Sequence, residues 1–198
     1  FSAIKKPEKY LNWFLVVSFY LFAFFSKQVP TAYIILLNVM IIFPYLLVIK
    51  KLKPLFIIFL SLLFYLFLLL SSFSMLGIDL NNFYIQYIDY PRSIGSDRLS
   101  YFFFSITSFI SNYKFILIPI ILLFFLKINQ VVNKKIYFFS IEFTNFLIFF
   151  SLCISLFVNQ LLTKNQIYIF FLIPISFALL QIEVKKIKLQ KMLIQVIY

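Results

Sequence analysis

The chain has 198 residues, of which 64% are hydrophobic and only 12% charged, and its mean hydropathy is +1.03. Soluble domains carry about 25% charged residues, so this composition excludes an ordinary soluble fold and points to a protein of the membrane. The net charge of +12 does not indicate nucleic acid, because the lysines gather at the ends of apolar runs, where membrane anchors sit.

Taken in chain order, the apolar runs predict an all-α, polytopic transmembrane bundle of about six spans in a single domain. The expected spans are 10–25, 31–49, 54–76, 113–128, 136–162 and 166–182. Backbone groups in lipid must pair within their own segment, which forces helices on such runs. Runs such as 55–70 lack the alternation of a transmembrane barrel. Pro30 and Pro54 stand where helices begin, whereas Pro44, Pro119 and Pro174 fall inside spans and are expected to kink them.

The third and fourth spans are separated by a polar loop, 77–99, with both glycines, both arginines and three of the six acidic residues. Residues 100–112 intersperse Ser and Thr between aromatics and read as an interfacial amphipathic helix; the alternative is that they run straight into the fourth span. Glu142 is the one carboxylate placed inside a span, which reads either as a functional group or as one that snorkels or pairs with Lys135. Cys153 lies within an apolar run and reads as a small packing residue.

Orientation follows from the cations. With the N-terminus cytoplasmic, thirteen of the eighteen lie in inner segments, and Lys27, Arg92, Arg98, Lys114 and Lys164 lie outside. Both ends of the chain are then cytoplasmic, and the membrane is expected to be a bacterial inner membrane. Inner lysines act as anchors, while the five outer cations work against the insertion bias and form a candidate phosphate-binding face. Lys164 and Tyr168 are four apart, hence on one face of a helix.

The chain has no histidine, which removes histidine-ligated haem, zinc and copper and any Ser-His-Asp triad. No phosphate loop, dinucleotide fingerprint or metal motif is present, so no cofactor is expected.

Three stretches carry a likeness. FAFFSKQVPTAYI at 22–34 is a helix ending in Ser-Lys-Gln before a proline and a new helix. NFYIQYIDYPRSIGSDRLSYF at 82–102 is the long outer loop. LLTKNQIYIFFLIPISFALL at 161–180 has Lys164, then Tyr168, then a helix with Pro174. In this order they resemble the C-terminal half of the GT-C membrane glycosyltransferases, the superfamily of dolichyl-phosphate-mannose and aminoarabinose transferases. The late motif departs from the family at Ile167, where an Arg is usual, and at Leu172, where a proline is usual. The adjacent acidic pair that supplies the family's catalytic base is absent, so the resemblance implies a fragment whose catalytic loop lies upstream.

The resemblance implies a polyprenyl-phosphate sugar donor taken at the outer face, in a lipid membrane. It assigns Lys27, Arg92, Arg98 and Lys164 to the carrier phosphate, and Gln28, Asp97 and Tyr168 to substrate contact. Two other readings fit the residues. A polysaccharide polymerase is suggested by the Arg-x-x-Gly-x-Asp pattern of Arg92, Gly95 and Asp97. A non-catalytic subunit of a respiratory or transport complex is suggested by the Phe-, Ile- and Lys-rich composition, which AT-rich coding alone produces.

Overall fold

The computed structural model describes residues 2–100, 102–163 and 169–197; of residue 99 and residues 188–197 it describes the backbone. The helices are α1 (Ser2–Lys5), α2 (Tyr10–Ser26), α3 (Gln28–Val48), α4 (Lys53–Leu76), α5 (Leu80–Tyr84), α6 (Tyr90–Ser100), α7 (Ile106–Val132), α8 (Ile141–Thr163) and α9 (Leu172–Ile197), with a π-helical turn, Ile85–Asp89, joining α5 to α6. No strand occurs among the described residues. The protein is an all-α membrane bundle. α3, α4, α7 and α8 are long and apolar enough to cross a bilayer, and α2 is a shorter apolar helix. α9 is apolar from 172 to 182 and then carries Glu183, Lys185 and Lys186. The start of the predicted sixth span lies outside the described residues.

Local chemistry sets the helix ends, and three expectations change. Ser105 caps α7 by accepting from the Ser108 amide at 3.4 Å, so the helix begins at Ile106 and absorbs most of the segment expected to lie in the interface. Its 27 residues span about 40 Å at 1.5 Å per residue, so its ends stand beyond the hydrocarbon. The helical part of the loop is instead 80–100. Ser140 accepts from the Phe143 amide at 3.2 Å, and α8 therefore begins at Ile141, later than the apolar run suggests. Pro174 falls in the first turn of α9, where its missing N–H has no intrahelical partner to lose, rather than at a kink within a span.

The spans pack as a row. α2 lies against both α4 and α3, α3 against α8, and α7 against both α8 and α9. α8 is the centre: Phe143, Phe146, Cys153 and Leu156 pack with Tyr113, Ile116, Ile120 and Leu123 of α7. Cys153 is a buried packing residue, as expected. α4 is the edge: it buries only Pro54, Ser61 and Phe73, and leaves Phe56, Phe59 and Phe67 exposed. Lipid supplies little hydrophobic drive between helices, so polar contacts matter. Tyr65 Oη donates to Ser18 Oγ at 2.6 Å, joining α4 to α2. Asn38 donates to Tyr20 Oη at 2.7 Å and accepts from Ser151 Oγ at 2.8 Å, joining α2, α3 and α8. Such bonds average about 0.6 kcal/mol each, enough to set which helix faces meet.

The antiparallel order of the spans gathers one set of ends rich in lysine and places the described residues of 77–105 at the other. The turns differ accordingly. At the loop end α4 stops at Gly77, in a left-handed conformation (φ 64), with the Ile78 amide donating to Phe73 O at 2.9 Å. At the lysine-rich end the same left-handed position is taken by Lys50 (φ 56) after α3 and Lys134 (φ 55) after α7.

Candidate functional site

The loop end is built by one missing donor. In a helix through this region the Tyr87 carbonyl would accept from residue 91, but residue 91 is Pro91, which has no N–H. The chain answers with the π-helical turn just before it, and Gln28 Nε2 donates to Tyr87 O at 2.8 Å. An aromatic column holds the same segment from beneath: Phe73 and Phe83 lie 4.7 Å apart, Phe83 and Tyr87 stack at 4.6 Å, and Phe25 meets Tyr87 at 6.4 Å. The loop is thereby fixed to the ends of α2, α3 and α4, and α6 is laid against α8.

Two cavities flank α6 where it meets the end of α8. One, of about 290 Å³, is lined by Gln28, Tyr33, Tyr90, Arg98 and Thr163, among others. Its neighbour, of about 320 Å³, is lined by Asp97, Arg98, Phe102, Phe103 and Thr163. Arg98 and Thr163 border both. The structure thus brings together Gln28, Asp97 and Arg98 out of the residues expected from sequence. Arg92 is on the same helix but lines neither cavity. Lys27 occupies the extended joint between α2 and α3, one residue from Gln28. Lys114 lines neither cavity, and its ammonium sits 5.3 Å from the Phe115 ring. Lys164 and Tyr168 lie outside the described residues. Among the described residues neither Arg92 nor Arg98 is in an ion pair, with Asp89, Asp97 or any other carboxylate. Gln28 is assigned a structural task by its bond to Tyr87, in addition to lining the cavity.

Below these cavities α8 carries two buried amides, Asn159 and Gln160. Asn159 Oδ1 has no hydrogen-bond partner among the described residues.

The opposite end holds charge in a different form. Lys127 is only 5% exposed along its side chain and lies 2.7 Å from Glu183, while Gln130 Oε1 accepts from it at 3.2 Å. Lys186 bridges Glu183 at 3.1 Å and Glu142 at 3.6 Å. Glu142 is therefore neither deep in a span nor paired with Lys135. It sits in the first turn of α8, half exposed, where the helix N-terminus favours an anion. Sequence reasoning treated Lys127 as one more anchor and missed Glu183 as its partner. The one available signal was an acidic residue at the end of an apolar run, three residues before Lys186.

No group of three or more Asp, Glu or Cys that could hold a metal occurs among the described residues. No family model matches the chain, and no curated protein or solved structure is significantly similar to it.

Proposed function

We propose that the chain is part of a membrane glycosyltransferase that takes its sugar from a polyprenyl-phosphate carrier, with the carrier phosphate held at the loop end. The observation that carries this reading is the convergence of three elements distant in sequence, the start of α3, α6 and the end of α8, on the cavities bordered by Arg98. Arg98 is exposed and outside any ion pair among the described residues, so its planar fork is available to two phosphate oxygens. Lys164 follows Thr163 directly in the chain, and Lys27 precedes Gln28, which adds two cations for the charge that grows on the leaving phosphate. Tyr33, Tyr90, Phe102 and Phe103 supply an apolar wall for the first isoprene units. Asp97 borders the same space and is an acceptor for sugar hydroxyls. The general base comes from another part of the protein, as the GT-C likeness implies.

In this reading the loop end faces outward from a bacterial inner membrane and the lysine-rich end is cytoplasmic. A cysteine at Ser96, in a Cys153→Ser background, is expected to react with an impermeant thiol reagent on intact cells, and one at Asn133 is not. The reverse labelling would contradict the orientation. For the site itself, binding of a polyprenyl phosphate to the protein in nanodiscs is expected to weaken about tenfold in Arg98→Lys, because one charge-assisted hydrogen bond of about 1.5 kcal/mol is lost. Arg92→Lys is expected to bind as wild type. An Arg98→Lys protein with unchanged affinity would remove the phosphate from this site.

A further inference from the structure

The geometry points to a second binding site, at the lysine-rich end: a cavity between α7, α8 and α9 that takes the headgroup of a phospholipid bearing both a phosphate and a hydrogen-bond donor. The cavity measures about 380 Å³, within the range of about 300–1,000 Å³ usual for small-molecule sites. This site is independent of the loop-end assignment.

Its lining is graded as an amphiphile is. Glu142, Asn145, Phe146 and Phe149 all border it, and their spacing puts them on one face of α8. Glu142 is at the end of the helix and Phe149 is about 10 Å further along the axis at 1.5 Å per residue. The mouth is charged and the floor is apolar, with Leu179 and Ile182 of α9 closing the far side. A soluble metabolite gains nothing from such a floor. A lipid placed with its headgroup at the rim and its first methylenes against the phenylalanines satisfies both parts.

The charges select a phosphate. Lys127 and Lys186 are each held by both Glu183 and Glu142. Lys5, brought to the mouth by α1, also borders the cavity and has no ion pair among the described residues. Three lysines against two glutamates leave one positive charge at the rim.

A further group selects the rest of the headgroup. Asn145 Oδ1 is buried and has no donor among the described residues. A buried acceptor without a partner is destabilising, and a ligand N–H or O–H recovers that loss. Ethanolamine and glycerol headgroups carry such a donor beside their phosphate. A choline headgroup has the phosphate but no N–H.

The test is a titration of the purified chain in detergent with short-chain phosphatidylethanolamine, phosphatidylglycerol or phosphatidylcholine, with bound lipid counted by native mass spectrometry. At least one of the two donor-bearing lipids is expected to bind about tenfold more tightly than phosphatidylcholine; which one does so tells whether the donor is an ammonium or a hydroxyl. Asn145→Leu is expected to abolish the difference while leaving the weaker phosphatidylcholine binding. Lys5→Gln, at an exposed position on α1, is expected to weaken binding of all three severalfold, and keeps the test open if Asn145→Leu does not fold. Equal affinity for all three lipids in the wild type, a preference that survives Asn145→Leu, or binding unaffected by Lys5→Gln would each overturn the site.

Discussion

At the lysine-rich end, Lys127 is almost fully buried and engaged by Glu183, and Lys186 is clamped between two glutamates. At the loop end, Arg92 and Arg98 are exposed and outside any ion pair among the described residues, although Asp79, Asp89 and Asp97 belong to the same segment. The contrast teaches how placement decides the use of a charge. A cation inside a helix packing seam is costly unless its partner is present, so it is matched and becomes part of the structure. A cation on a polar helix over a cavity remains hydrated and available to a ligand. The lysine-rich end spends most of its charge on joining α7, α8 and α9, while the loop end keeps its charge in reserve.

That contrast can be broken most decisively by removing one partner at each end. Glu183→Leu leaves the buried Lys127 with only the more distant Glu142 carboxylate, 4.0 Å away, and is expected to destabilise the protein by up to about 3 kcal/mol in reversible unfolding from detergent. The double variant Lys127→Met with Glu183→Leu is expected to recover most of that loss, because no charge is then stranded. Arg98→Lys in the same assay is expected to move stability by less than about 0.5 kcal/mol, as for an exposed side chain without a structural contact. Comparable losses at the two ends would erase the distinction.

A smaller effect sharpens the account at the lysine-rich end itself. Glu8 and Lys51 form an exposed pair at 2.6 Å, and the hydrogen bond between them lowers the Glu8 carboxyl pKa below its ordinary 4.5 and raises that of the Lys51 ammonium above its ordinary 10.5. The sign is fixed by linkage. The Glu8 contribution is present above pH 4.5 and is lost as the pH falls through its lowered folded value. The Lys51 contribution is present below pH 10.5 and is lost as the pH rises through its raised folded value. Stability is therefore expected to be flat between these limits and to droop at either side, slightly, because the pair is in water and screened by salt. Glu8→Gln is expected to shrink the acid limb slightly, leaving the share of the ion-paired Glu183; an acid limb unchanged in that variant would show that the Glu8 pair contributes nothing.

How much of this was legible in the sequence depends on the range of the interaction. The helical membrane class follows from hydrocarbon content alone, because lipid admits no other backbone for such runs. Helix ends were readable only where the cap is local: Ser105 and Ser140 are ordinary N-caps, yet the aromatic residues beside them disguised where α7 and α8 begin. The pairing of Lys127 with Glu183 spans 56 residues and the bond from Gln28 to Tyr87 spans 59, and no pattern along the chain announces either. The loop at 77–99 was recognised as the concentration of polar chemistry, but its helices were not, since α6 is a polar helix whose order comes from packing on α8 and from the support around Pro91. Of the candidate residues, Arg98 gained a cavity, Gln28 gained a structural bond and Arg92 gained neither.

The most direct measurement of the central claim is photo-crosslinking with a polyprenyl phosphate that carries a diazirine on its first isoprene unit, followed by mapping of the modified peptides. Adducts are expected on Tyr33, Tyr90, Phe102 or Phe103, around the cavities that Arg98 borders, and are expected to be lost in Arg98→Lys but kept in Arg92→Lys. Adducts confined to Phe146, Phe149 and Leu179 at the lysine-rich end, or unchanged by Arg98→Lys, would contradict the assignment of the carrier to the loop end.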